Sequence, residues 1–105
     1  MARNERSRGH RTAKVFHALS DHTRLQVLEE LQRWPEGRPL VGLCVELGIP
    51  QSTMSWHVRT LSEVGVLKGE RVGRQVFYCL DREALDDAFV LLYSFRLGRM
   101  IRRAR

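Results

Sequence analysis

Between Leu43 and Leu80 the chain stops and restarts three times within a few residues, and this punctuation leaves few ways to fold. Leu43 and Leu47 share a helical spacing, and Gly48 ends the run, because glycine enters the left-handed conformation without a Cβ penalty. Ile49 is placed to plug the core inside the turn. A second amphipathic run extends from about Gln51 to Val64 and stops at Gly65. Val66 to Arg71 and Gln75 to Leu80 then read as two short strands around a tip of Val72, Gly73 and Arg74. The order is helix, tight turn, helix, hairpin. A helix fits the major groove of B-DNA, and a basic hairpin beside it reaches the backbone or minor groove.

The flanking segments are helical. A first helix is expected over Arg11 to Leu19, with Ala13, Phe16 and Leu19 facing a core. Asp21 suits the N-cap of a second helix, since its carboxylate accepts from free first-turn N–H groups. The stripe Leu25, Val27, Leu28, Leu31 and Trp34 follows, and Pro35 and Gly37 end it. Pro39 to Leu47 is read as a short third helix burying Leu40, Leu43 and Leu47. Asp81 caps a last helix from Arg82 to about Met100. The fold class is α+β and mostly helical. A flexible basic arm over residues 1–9, one domain over 10–100 and a basic tail over 101–105 complete the organisation.

A chain of 105 residues supports one compact domain with a small core. Its net charge of +6 suits a polyanion, but the distribution says more. Arg3, Arg6, Arg8, Arg11 and Lys14 face only Glu5 at one end, and Arg96, Arg99, Arg102, Arg103 and Arg105 face no acid at the other. The stretch between is net acidic. Such tails either lie along phosphates or serve as solvated ends. No apolar run is long enough to span a membrane, and the N-terminus lacks a secretory apolar stretch. Two cysteines make no disulfide framework, which fits a cytoplasmic location.

With Met54 as origin on a helical wheel, His57, Val58 and Leu61 fall on its side. Ser52, Ser55, Trp56 and Arg59 fall opposite. This helix is expected to anchor by one stripe and present short hydroxyls, an indole and a guanidinium. Gln51, Ser52 and Thr53 open it, where free N–H groups and the helix dipole favour phosphate. Gln51 matches adenine, and Arg59 reaches guanine or a phosphate. Trp56 is read as a DNA contact through thymine methyls or sugars; the rival is packing against a loop or partner. His57 lies on the anchoring side and is read as structural. Lys68, Arg71 and Arg74 make the hairpin a DNA-backbone wing, against the rival of an edge hairpin charged to prevent aggregation.

Ala18-Leu19-Ser20-Asp21-His22-Thr23-Arg24-Leu25 resembles the Ala-Leu-Ala-Asp-Pro-Thr-Arg-Leu entry of the ArsR/SmtB family of winged helix-turn-helix repressors. The stretch from Leu47 to Val58 resembles that family's Leu-Gly-Leu-Ser-Gln-Ser-Thr-Val-Ser-His-His-Leu. Leu61 to Leu67 and Gly73 to Tyr78 continue the likeness into the wing. Together these span about residues 13 to 90, and their order and spacing are more specific than any one piece. The resemblance implies a cytoplasmic homodimer on an imperfect palindrome of double-stranded DNA, repressing transcription until an effector binds. It implies a dimer interface of first and last helices, here Phe16 with Leu85, Ala88, Phe89, Leu92 and Phe95. The rival is that this apolar face only closes the protomer core.

The departures concern the effector. Where metal-sensing relatives carry Cys-Val-Cys in the third helix, this chain has Pro39, Leu40 and Val41. The last helix has Asp86 and Asp87 but no histidine, and adjacent carboxylates diverge by roughly 100°. Cys44, Cys79, His10, His17, His22 and His57 show no zinc-ligand spacing. No metal and no cofactor is therefore expected. Pro50 replaces a serine cap, leaving Ser52 to satisfy first-turn amides and starting the reading helix slightly later. His22 replaces a proline at the first helical position, which is tolerated.

Three function classes compete. A dimeric DNA-binding repressor with an unidentified effector fits best. A winged-helix protein-interaction module, using Trp56 and the last helix as a partner surface, is the alternative, with a thiol-responsive regulator using Cys44 or Cys79 beside it. An enzyme is excluded, since no nucleophile constellation, paired carboxylates or phosphate-cradling glycine loop is present.

Overall fold

The computed structural model describes residues 2–98, with side chains from residue 9 onward. Five helices and three strands follow in the order α1 Ala2–Leu19, α2 His22–Leu31, β1 Arg38–Pro39, α3 Leu40–Leu47, α4 Gln51–Glu63, β2 Leu67–Val72, β3 Gln75–Leu80 and α5 Arg82–Arg96. The strands form one antiparallel sheet in the order β1-β3-β2. This is a winged helix-turn-helix domain, α3 and α4 being the helix-turn-helix and β2–β3 the wing.

Each boundary has a local cause. The Asp21 carboxylate accepts from the Arg24 backbone N–H at 3.1 Å and so starts α2. The Asp81 carboxylate likewise accepts from the Glu83 N–H at 3.2 Å and starts α5. Gly48, at φ 65°, closes α3 in the left-handed conformation, and the Ile49 N–H folds back to the Cys44 carbonyl. At the wing tip Val72 pairs with Gln75, leaving Gly73 and Arg74 as a two-residue loop. Gly73 has φ 66° and, among the described residues, no non-glycine residue has positive φ, the pattern of a II′ turn, whose twist matches the strands.

The core gathers one stripe from each layer: Val15 and Ala18 of α1, Val27 and Leu31 of α2, Leu43 of α3, and Met54, Val58 and Leu61 of α4. Val66 and Leu67 lead from it into the wing, and Ala88 of α5 closes it. α1 packs against α5, and α3 against α4. The wing and α4 thus leave the same core, which fixes their relative placement.

The structure departs from the sequence expectations at several ends. α1 is helical from Ala2 rather than Arg11. α2 stops at Leu31, so Trp34 is off the helix; Pro35 excludes its predecessor from helical geometry, and the Trp34 ring lies under the Arg38 guanidinium at 4.6 Å. Leu25 is exposed, because the buried stripe of α2 runs Arg24, Val27 and Leu31, and Arg24 takes the place a leucine was expected to fill. Arg38 and Pro39 are not helical but form β1, paired with Tyr78 and Phe77 of β3. Proline favours an extended predecessor, and that geometry admits the strand. α4 begins at Gln51 despite Pro50, without a side-chain cap; the Met54 N–H reaches the Pro50 carbonyl at 2.9 Å. The tail over 101–105 and the expected α5 end at Met100 lie outside the described residues.

Candidate nucleic-acid interface

α4 presents two unlike sides. Met54, His57, Val58 and Leu61 are buried, their spacing matching one face of a helix. Gln51, Ser52, Thr53 and Arg59 are exposed, and Trp56 keeps 56% of its surface open to solvent, which for so large an apolar ring is unusual. Ser55 is half-buried, on the shoulder of the exposed side. No side chain caps the helix start, so its first-turn N–H groups face outward as a source of positive potential.

Behind Trp56 lies a polar cluster that the sequence pattern concealed. Arg24 of α2 is 6% exposed. Its Nε donates to the Ala18 carbonyl at 2.5 Å and its Nη1 to His57 Nδ1 at 3.3 Å. Its guanidinium carbon sits 5.2 Å from the Trp56 ring centroid, within cation–π range. Arginine only donates, so His57 accepts at Nδ1 and carries its neutral-form proton on Nε2. Asp21 Oδ1 stands 4.0 Å from the same Nδ1. The bond from the Arg24 backbone N–H holds the Asp21 carboxyl below the ordinary carboxylate value; burial opposes this, and the Arg24 charge reinforces it. The sequence reading of His57 as structural agrees with this placement. Arg24 was missed because an arginine at a stripe position reads as a break in the stripe.

The wing distributes its cations unevenly. Side chains alternate across β2, so Lys68 shares a face with Glu70, whereas Arg71 falls on the face of Leu67. Lys68, Arg71 and Arg74 are all exposed, but the pleat divides the first two. Arg74, at the tip, is brought to the helix-turn-helix: it lines a cleft of about 280 Å³ with Gln51 at the start of α4, together with Leu40, Val41 and Tyr78. Gln51 and Arg74, distant in sequence, therefore form one edge of the surface.

On α5 the expected interface set separates. Ala88 is 4% exposed and packs in the protomer core where α5 meets α1, unlike the open face on which it was expected. Phe16 and Leu85 are half-buried against the same core. Phe89, Leu92 and Phe95 are exposed. Val90 and Tyr93, which the sequence reading passed over, are exposed beside them, and Phe89 stacks on Tyr93 with centroids 5.7 Å apart.

Among the described residues no group of three or more His, Cys, Asp or Glu is placed to hold a metal ion. Pro39, Leu40 and Val41 carry no side-chain donor for a metal. Cys44 and Cys79 are half-buried free thiols on α3 and β3. Among the described residues no helix is long and apolar enough to cross a membrane.

Residues 19–70 match a family described as a helix-turn-helix domain. The chain is similar to the HTH-type transcriptional regulator YbzH of Bacillus subtilis, at 35% identity over 69% of this chain and 85% of the relative. Its structure is similar to that of an ArsR-like transcriptional regulator from Rhodococcus, with a TM-score of 0.74 and 27% identity over 90% of this chain and 86% of the other. The fold is also that of a homodimeric winged helix-turn-helix DNA-binding domain from Mycobacterium bovis, with a TM-score of 0.67 and 23% identity over 81% of this chain and 79% of the other.

Proposed function

The chain belongs to the ArsR/SmtB family of winged helix-turn-helix transcriptional regulators, and from that premise we propose that it is a homodimeric, sequence-specific repressor that acts in the cytoplasm on an imperfect DNA palindrome. The observation that carries this reading is the exposed Trp56, beside Gln51, Ser52, Thr53 and Arg59, opposite the buried stripe of α4. An indole left in solvent on a helix anchored by its opposite side is a surface awaiting a partner. In this reading Gln51, Ser55, Trp56 and Arg59 meet base edges or sugars in the major groove. Ser52 and Thr53 bring the uncapped amides to a phosphate, and Arg74 with Lys68 and Arg71 holds the flanking backbone.

The exposed α5 face supports pairing through Phe89, Leu92 and Phe95, extended by Val90 and Tyr93, with Phe16 and Leu85 at its margin. The M. bovis domain of the same fold is homodimeric. A two-fold pair presents its reading helices to successive major grooves, roughly 34–36 Å apart. Release requires an effector that binds one conformation better than the other. The donor-free side chains of residues 39–41 favour an effector other than a metal at that family site.

The test is capture of genomic fragments by the purified protein, followed by titration of the recovered duplex. A single recurring palindrome bound far more tightly than a scrambled duplex is expected. Equal affinity for both duplexes, together with capture of a protein partner through α5 or Trp56, would leave the interaction-module reading in its place.

A further inference from the structure

A guanidinium is costly to remove from water unless its donors are met, yet Arg24 is 6% exposed and no carboxylate lies within ion-pairing distance of it among the described residues. What meets it is an unusual set drawn from two other helices. The Ala18 carbonyl near the end of α1 takes the Nε proton, His57 Nδ1 on α4 takes an Nη1 proton, and the Trp56 ring lies along the cation at 5.2 Å. His57 itself stands against Trp56, with centroids 5.0 Å apart and planes 59° tilted. The indole is therefore exposed on one face and held on the other by a charge and an imidazole. An exposed tryptophan elsewhere on a helix would sample its rotamers freely.

We propose that Arg24 is a positioning residue for DNA reading, fixing the Trp56 indole in one pose and tying that pose to the end of α1. This rests on the assignment of α4 as the reading helix. Arg24 does not touch DNA; it acts through Trp56. Its planar fork is what allows one side chain to serve Ala18 and His57 while stacking on the indole, and a lysine ammonium cannot reproduce all three contacts. The link to Ala18 makes the pose sensitive to α1, which also packs against α5. A shift of α1 against α5 then reaches the reading surface through one side chain.

The experiment compares wild type, Arg24→Lys, Trp56→Ala and the double variant on two duplexes at fixed salt: one selected by the wild-type protein from a random-sequence pool, and its scramble. R24K is expected to lower the preference for the selected duplex about tenfold, within what a desolvated cation–π contact supplies, and to leave affinity for the scramble unchanged. The double variant is expected to bind like W56A alone, because Arg24 has nothing left to position. Additive losses, or an R24K protein with full preference, overturn the proposal while W56A still tests α4. A W56A protein with wild-type preference instead overturns the reading of α4, and the proposal with it. Should R24K fail to fold, a Trp34→Phe protein with Arg24 intact leaves Trp56 as the sole tryptophan, excited selectively over the tyrosines at the red edge. Its time-resolved anisotropy is expected to lack fast indole motion, and a freely rotating Trp56 overturns the proposal.

Discussion

Gly37 lies so close to β3 that a Cβ on it would meet the Tyr78 carbonyl oxygen at 2.9 Å. Its φ of 94° is also one that L side chains rarely adopt. The contact sits where the chain leaves α2 and enters β1, and it holds the short strand against the wing. Gly37→Ala is expected to destabilise the fold by more than about 1 kcal/mol, through strain and through loss of the β1–β3 pairing. Thermal unfolding checks this, and an unchanged Tm would mean that the turn yields without cost.

Arg59 and Arg74 occupy different parts of the surface and are expected to fail differently. Arg59 projects from the exposed side of α4, and Arg74 from the wing tip. Arg74→Ala should weaken binding nearly equally across sequences and reduce the slope of log affinity against log salt by about 1, the loss of one phosphate contact. Arg59→Ala should cost about 1–3 kcal/mol on the selected duplex and relax preference at one base position if it reads guanine. Gel-shift titrations over a salt series separate the two, and two variants that both bind like wild type would refute the surface assignment.

Asp21 gives stability a sign with pH. Its folded carboxyl is held below the ordinary value, chiefly by the Arg24 backbone N–H, so the unfolded chain takes up the proton first as pH falls. The stabilisation is therefore fully present above the ordinary carboxylate pKa and is lost as pH drops from there through the depressed folded value. Asp21→Ala is expected to lower the Tm by roughly a few degrees at neutral pH, the usual effect of losing an N-cap. The gap to wild type should close on acidification below about pH 4. A gap that stays constant would show that the cap works without its charge.

The positions legible in the sequence are those where one residue's chemistry leaves a single option. Gly48 could only close α3, and Met54, Val58 and Leu61 could only face inward together. Trp56 was readable as exposed because it broke that periodicity. Arg24 was not legible for the opposite reason: it obeys the burial pattern while violating the apolar one, and only three-dimensional neighbours explain a buried cation. β1 was hidden because two residues carry no alternation, and their partners lie far along the chain in β3. Ala88 and Phe89 both belong to the wide apolar face that the family resemblance implies for the last helix, although neighbours on a helix point about 100° apart. Contact with α1 decides that Ala88 turns to the core and Phe89 to solvent.

That division separates folding from assembly on one helix. Phe89 is 64% exposed and Phe95 is 68% exposed, so a charge at either costs the isolated protomer little. Phe89→Glu is expected to leave the Tm of a dilute protomer nearly unchanged while converting a dimer to a monomer in sedimentation equilibrium, since two like charges would meet across a two-fold contact. Binding to a full palindrome should then fall to that of a half-site. Ala88→Leu acts on the other side: overpacking beneath α1 should destabilise the protomer by about 1–3 kcal/mol at any concentration. If F89E instead unfolds the protomer, or if it remains dimeric and binds the palindrome like wild type, α5 is not the surface that joins two copies.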